Sequence, residues 1–325
     1  MQTLFLDLKQ LPILPPLVMT IGNFDGVHLG HQAMVDAVLT LANNGQKSAV
    51  MIFEPQPKEF FDPANAPARL TNLAEKSARL EALGVDFLLV VRFDHAFRSL
   101  SAEEFCHVLH RLNVKQLVLG DDFRFGQGRA GDKAFLRQSG FEVTSLDSVV
   151  MAGVRISSTH IRNKLSQGDI TGANILLGYD YTMTGKVVHG DKIGRTLGFP
   201  TANIALERLR PAPLGVFGAD VLIFDENGES LSHTFNQGVA GLGANSLFGA
   251  VNIGTRPSVA GKQWRFEVHL PNFSADLYGK HLQVRFLYYL HAEMTYPNLD
   301  ALTLGINQDI QQLLAWRYQQ TPLTH

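Results

Sequence analysis

Apolar and polar positions divide the chain into two textures. Up to about residue 178, short continuous apolar runs at Leu17–Ile21, 49–53, 87–91 and 116–119 are bounded by turn residues and predict buried strands. Between them, 32–41, 73–83 and 102–112 repeat their apolar residues at helical spacing. Strands alternating with helices imply an α/β domain on a parallel sheet covered on both faces, with ligands expected beyond the carboxyl ends of the strands. After Tyr179-Asp180-Tyr181 the texture changes. The stretches 181–188, 216–224, 249–253, 264–270 and 281–289 read as β-runs, and 298–317 reads as a helix. Several β-runs with a closing helix predict a small antiparallel β-barrel. The expected domains are 1–182 and 183–325, with no internal repeat and no low-complexity tract.

Composition narrows the class. Apolar residues make up 45% of the chain and charged residues 18%, as in a soluble globular protein. A formal charge of −2 argues against a broad nucleic-acid-binding surface. Cys106 is the single cysteine, so no disulfide forms within the chain; in its helical run it reads as a core thiol. Residues 1–14 lack a basic signal-like region and are interrupted by Asp7, Lys9 and Pro12. No run of about 20 apolar residues is present to span a bilayer. The expectation is a cytoplasmic protein with no nucleic-acid, membrane or protein partner implied.

The densest chemistry lies at Gly22-Asn23-Phe24-Asp25-Gly26-Val27-His28-Leu29-Gly30-His31, where the first buried strand turns into a helix. Free backbone N–H groups and the positive end of the helix dipole favour an anion there. Two histidines three apart, with a glycine between them, can address one polyphosphate. Zinc is the competing reading, but no cysteine or carboxylate stands nearby at ligand spacing.

Three further segments offer a nucleotide what it needs. Phe53-Glu54-Pro55-Gln56-Pro57 leaves the second strand as a rigid turn against which a ring could rest. Gly120-Asp121-Asp122-Phe123-Arg124-Phe125-Gly126, with Arg129, Gly131 and Asp132, combines close backbone approach with carboxylates that accept from ribose or flavin groups. Ile156-Ser157-Ser158-Thr159-His160-Ile161-Arg162 reads as a helix N-cap whose hydroxyls, amides and arginine also suit phosphate. In the second half, 185–203 places four glycines and three cations before Pro200 without forming a Walker A loop. Thr201 and Asn203 alternate on an extended chain, so their oxygens face one side, as Mg²⁺ held jointly with ATP phosphates requires.

In this order these strings resemble the prokaryotic bifunctional riboflavin kinase/FAD synthetases, and the H-x-G-H turn resembles that of nucleotidyltransferases related to class I aminoacyl-tRNA synthetases. The resemblance covers nearly the whole chain from about residue 14. It implies a Rossmann-like nucleotidyltransferase domain that adenylylates FMN with ATP, giving FAD and pyrophosphate. It also implies a barrel that phosphorylates riboflavin to FMN with ATP as co-substrate. By the same resemblance His28, His31 and Arg162 serve adenylyl transfer, and Glu267 is the base of the kinase. Gly22, Asn23, Phe24, Asp25, Gly30, Asp122, Phe123, Arg129, Ser157, Ser158 and Thr159 contact ATP or flavin in the first site. Gly185, Lys186, Gly190, Gly194, Arg195, Gly198 and Pro200 do so in the second, where Thr201 and Asn203 meet Mg²⁺. Asn252-Ile253-Gly254-Thr255-Arg256-Pro257 also matches and reads mainly as structure.

The chain departs from the pattern in 290–296, where histidine and threonine stand in place of the usual arginine and lysine. It departs again in 238–250, which is longer and richer in glycine. A chain confined to adenylyl transfer, its barrel having lost kinase action, and a flavin-sensing or RNA-binding module are the alternatives.

Overall fold

The structure is a computed structural model that describes all residues except 43–44, 191–193, 195–196, 232–245, 259–260 and 321–325, together with all side chains but those of 256–258 and 261–262. The chain forms two compact units, one of residues Met1–Pro67 and Thr71–Ser158, the other of Ala68–Leu70 and Thr159–His325.

In the first unit the four apolar runs become strands β2 (Leu17–Ile21), β3 (Lys47–Glu54), β4 (Phe87–Arg92) and β5 (Val114–Gly120), and β1 (Gln2–Leu6) and β6 (Glu142–Leu146) add the two edges. They pair in parallel in the order β1-β4-β3-β2-β5-β6. Helices α1 (Leu29–Leu41), α2 (Pro57–Phe61), α3 (Leu73–Ala82), α4 (His95–Arg98), α5 (Ala102–Arg111) and α6 (Lys133–Gln138) connect them, and the hairpin β7 (Val150–Met151) and β8 (Val154–Arg155) follows. Side chains alternate across the sheet. Leu17, Met19 and Ile21 pack with Phe105, Cys106 and Leu109 of α5, whereas Val18 packs with Val38 of α1. Val50, Ile52, Leu88 and Val90 join Val35 of α1 and Leu80 of α3. Both faces are therefore buried, and Cys106 is a core thiol that burial pushes up in pKa.

Strand order reverses between β2 and β5. The chain winds outward from β2 through β3 to β4, then returns to lay β5 on the other flank of β2. A crevice opens at the carboxyl ends on either side of such a point. The histidine turn follows β2 and the Gly120–Phe125 loop follows β5, so both lie at it. Strand β1 had no counterpart in the sequence pattern. It is a short edge strand with Phe5 72% exposed, and a half-solvated edge lacks a continuous apolar run.

The second unit begins within α7 (Ser158–Ser166) and contains α8 (Ile170–Leu177) and strands β9 (Thr182–Val188), β10 (Thr201–Ile204), β11 (Gly215–Phe224), β12 (Leu247–Ser258), β13 (Gly261–His269) and β14 (His281–His291). These close into an antiparallel barrel in the order β10-β13-β12-β11-β14-β9. Phe217, Val251, Ile253, Phe266, Val268, Val284 and Phe286 are buried in it. Residues 68–70 belong here as well. Arg69 N–H donates to the Arg210 carbonyl at 3.0 Å, and the Leu70 carbonyl accepts from Tyr181 Oη at 3.0 Å and Arg208 Nη1 at 3.1 Å.

The closing helix α9 (Leu299–Gln320) is held by Leu313 and by Arg317, both buried. Arg317 Nη2 lies 3.3 Å from Asp220 Oδ1, and its guanidinium sits 5.2 Å over the Phe248 ring. Trp316 stacks on Tyr288 at 5.0 Å. Asp220 also bonds Arg285, which reaches Asp180 at 3.3 Å. Replacing Arg317 with leucine removes one charged partner of a buried carboxylate and is expected to cost about 1.5–3 kcal/mol. Urea unfolding followed by tryptophan fluorescence checks it, because both tryptophans, Trp264 and Trp316, lie in this unit.

Candidate functional site

The first unit builds its turn around Asp25. Its carboxylate is 2% exposed and accepts from Thr71 N–H at 3.1 Å, while Thr71 Oγ1 accepts from Gly26 N–H at 3.0 Å. Ser158 Oγ donates to the Asp25 carbonyl at 2.9 Å, and Gly22 N–H donates to the Met51 carbonyl at 3.1 Å. Asp25, Ser158 and Gly22 thus brace the turn. Phe24 packs into the core, 4.7 Å from the His31 ring.

Helix α1 starts at Leu29 with His28 as its N-cap. The His28 ring folds back over the helix end, and a Cβ on Gly30 would meet it at 3.2 Å, so glycine supplies the room. His31 N–H donates to the His28 carbonyl at 2.7 Å and, as a weaker second arm, to His28 Nδ1 at 3.3 Å. The two imidazoles stack at 3.7 Å and 14°.

A cavity of about 530 Å³ in this unit is lined by Ile21, Phe53, Phe61, Phe93, Phe97, Phe105, Phe123 and Phe125, with Lys58, Arg98, Arg124 and Arg129 among its cations. Arg98 lies 5.2 Å over the Phe61 ring. Of these, Phe123 and Arg129 were candidates in the sequence. Phe61, at the end of α2, and Phe93, Phe97 and Arg98, just before and within the short helix α4, were not. Asp122 is exposed, 3.8 Å from Arg155, whose other neighbour is Asp121 at 3.7 Å. Ser157 stays with this unit, whereas Thr159 and Arg162 belong to the second, where Arg162 Nε donates to the Ala68 carbonyl.

In the second unit, register aligns the site. One row of directly paired residues runs Val188, Asn203, Glu267, Asn252, Val216, His291 across β9, β10, β13, β12, β11 and β14. Thr201 pairs with His269 two residues along, on the same face. A cavity of about 690 Å³ lies against this wall. Thr201, Asn252, Arg265, Glu267 and His269 form its polar side, and Leu299, Leu302, Ile306 and Ile310 of α9 form an apolar side. Arg265 Nη1 stands 3.8 Å from Glu267 Oε1. His269 Nδ1 donates to the Pro200 carbonyl at 2.9 Å.

Glycines let the loop over this wall come close. A Cβ on Gly190 would fall 2.3 Å from the Asn203 carboxamide, and one on Gly194 would fall 2.4 Å from the Phe199 carbonyl. Gly185 sits against Ala205, Lys186 is exposed on β9, and Gly198 takes a φ of +86°. Arg195 lies outside the described residues, as do most of the positions in the unusual 238–250 stretch. No group of three or more His, Cys, Asp or Glu side chains among the described residues could hold a metal ion. Thr201 and Asn203 instead offer neutral hard oxygens beneath the glycine loop.

The 291–296 segment is tied down on both flanks. Glu293 Oε2 accepts from Thr255 N–H at 3.1 Å. His291 Nε2 lies 2.8 Å from Asp309 Oδ1 on α9, and its Nδ1 lies 2.7 Å from the Ala292 carbonyl. Both partners are acceptors, an arrangement that favours a proton on each ring nitrogen. Burial pulls its pKa down, but the Ala292 carbonyl and the Asp309 carboxylate outweigh that and the net shift is upward.

Comparison with known proteins follows the same division. Residues 11–160 match the FAD synthetase family model and residues 177–317 the riboflavin kinase model. A bifunctional riboflavin kinase/FMN adenylyltransferase of Escherichia coli (strain K12) is 44% identical over 302 residues, covering 90% of each chain. The chain belongs to the bifunctional riboflavin kinase/FMN adenylyltransferase family. A second such enzyme, from Haemophilus influenzae, is 39% identical over 94% of this chain and 95% of its own. A crystal structure from Streptococcus pneumoniae, described as a macrolide-efflux protein, superposes with a TM-score of 0.75 at 27% identity, covering 97% of this chain and 99% of that one. In this member of the flavin-nucleotide family, no helix among the described residues is long and apolar enough to cross a membrane.

The His291 clasp makes a pH prediction. A raised folded-state pKa means that the folded protein holds the proton more tightly than the unfolded chain. Its stabilisation is complete below the ordinary value of 6.5 and is lost as pH rises through the raised value. The stability gap between the native protein and His291→Gln is expected to be larger at about pH 6 than at about pH 9. Urea unfolding at both pH values, read by tryptophan fluorescence, checks it; a gap that does not change with pH contradicts the assignment.

Proposed function

We propose that the two units perform successive steps on one vitamin, with the functional halves divided at residues 182 and 183. The second half phosphorylates riboflavin with ATP, giving FMN and ADP. The first half then transfers AMP from ATP to FMN, giving FAD and pyrophosphate. One observation carries this reading: each unit has its own ligand-sized cavity walled on one side by aromatic or aliphatic surface and edged by polar groups. A flavin, with a flat apolar ring and a hydroxylated or phosphorylated tail, has the same two-sided character.

In the first half the flavin ring is assigned to the phenylalanine cavity. The FMN phosphate attacks the α-phosphate of ATP and pyrophosphate leaves, so the protein supplies donors and no nucleophile. His28 and His31 stabilise charge on the phosphates as pyrophosphate leaves, with Arg162, Ser157 and Thr159 as further donors. Gly22, Asn23, Phe24, Asp25, Gly30 and Ser158 shape the turn that receives the nucleotide. Asp122, Phe123 and Arg129 border the flavin.

In the second half Glu267 removes the proton from the terminal ribityl hydroxyl, whose oxygen attacks the γ-phosphate as ADP leaves. The glycine loop, with Gly185, Lys186, Gly190, Gly194, Arg195, Gly198 and Pro200, covers the phosphates. Thr201 and Asn203 would hold Mg²⁺ together with ATP oxygens, and the ion when bound offsets phosphate charge. His291, whose pKa is raised, stands where the family usually carries arginine. The cytoplasm, which supplies both substrates, is the proposed compartment.

His31→Ala is expected to lower FAD formation from FMN by about 10²–10³-fold and to leave FMN formation from riboflavin intact. Asn203→Ala is expected to do the reverse. Chromatographic separation of flavins after incubation with ATP and Mg²⁺ measures both; equal loss of the two products in either variant overturns the division of labour.

A further inference from the structure

Asn252 stands out within the second unit's cavity. It lines that space, yet its Oδ1 is buried without a hydrogen-bond partner among the described residues. Buried amide oxygens are nearly always paired, and leaving one unpaired is unfavourable. The two side chains directly opposite it offer no donor. In the paired row its flanking residues are Glu267 on β13 and Val216 on β11. A carboxylate has only acceptors, so Glu267 can satisfy only the Nδ2 end of the carboxamide, and valine can satisfy neither.

Directly opposed residues of an antiparallel pair project to the same face with Cβ atoms about 4.5–5.5 Å apart. The carboxamide of Asn252 and the carboxylate of Glu267 therefore stand side by side on the wall of one cavity. We infer that Asn252 is a substrate-binding residue that grips the ribityl hydroxyl next to the one receiving phosphate. The inference rests on the kinase reading above. A hydroxyl both donates and accepts, so it pairs with whichever end of the carboxamide rotates toward it. Vicinal hydroxyls on a polyol chain are spaced so that one meets Glu267 while its neighbour meets Asn252. Two adjacent contacts fix the terminal oxygen in line for transfer and make this cavity selective for a polyhydroxylated tail over a bare ring.

The test compares riboflavin with an analogue that keeps the terminal hydroxyl and lacks the adjacent one. Each is offered with Mg²⁺ and ATP to the native full-length protein, Asn252→Leu and Asn252→Ser. Adenylylation of added FMN and the tryptophan emission spectrum serve as fold controls. Asn252→Leu is expected to lower kcat/KM for riboflavin by about 10- to 100-fold. The native enzyme should lose a similar factor on the analogue, with no further loss when both changes are combined. Asn252→Ser, which restores a hydroxyl, should recover most of the riboflavin rate. Penalties that simply multiply, or an Asn252→Leu rate on riboflavin equal to native, overturn the role of Asn252 while native FMN production continues. A native enzyme that phosphorylates neither flavin instead overturns the kinase reading, and this inference with it.

Discussion

A backbone amide or carbonyl withdrawn from water needs a partner, and the two ways in which this chain meets that demand decide where a ligand can lie. Parallel pairing in the first unit buries both faces of the sheet and leaves only the strand ends available. Strand order reverses between β2 and β5, so the usable crevice falls where the histidine turn and the Gly120–Phe125 loop emerge. Closed antiparallel pairing in the second unit leaves no free edge. Its functional groups stand on the wall of the barrel, and register decides which of them become neighbours. Asn203, Glu267 and Asn252 are 64 and 15 residues apart in sequence and adjacent in space only because of that register.

Much of this was legible from local pattern. Strands Leu17–Ile21 and Thr182–Val188, helix α5 and the closing helix follow from period and punctuation. The glycine–histidine turn and the Pro-Thr-Ala-Asn strand are contiguous, so their chemistry could be read directly. What was hidden depends on distant contacts. Strand β1 is defined by its pairing with β4, 85 residues on from Gln2 to Phe87. The phenylalanine cavity gathers rings from strand ends, loops and short helices. The His291–Asp309 pair joins a strand to a helix, and nothing in either segment announces the other.

Charge is used differently in the two units. A formal net charge of −2 conceals the cations that edge the aromatic cavity of the first unit, where the proposed substrates are anions. In the second unit the charges mostly hold elements in place. Arg317 and Arg285 meet Asp220, Lys164 meets Asp169 at 2.7 Å, and His291 meets Asp309. The helix that supplies the cavity's apolar side is thus held by side-chain contacts at two places along its length, while Arg265, 3.8 Å away, is the cation beside Glu267 among the described residues.

The three residues Ala68–Leu70 come from the midst of the first unit's chain and are built into the second. A single scission anywhere along the polypeptide therefore cannot yield both modules whole. A fragment starting after Ser158 would keep the barrel's strands and lose the segment that Tyr181 and Arg208 hold.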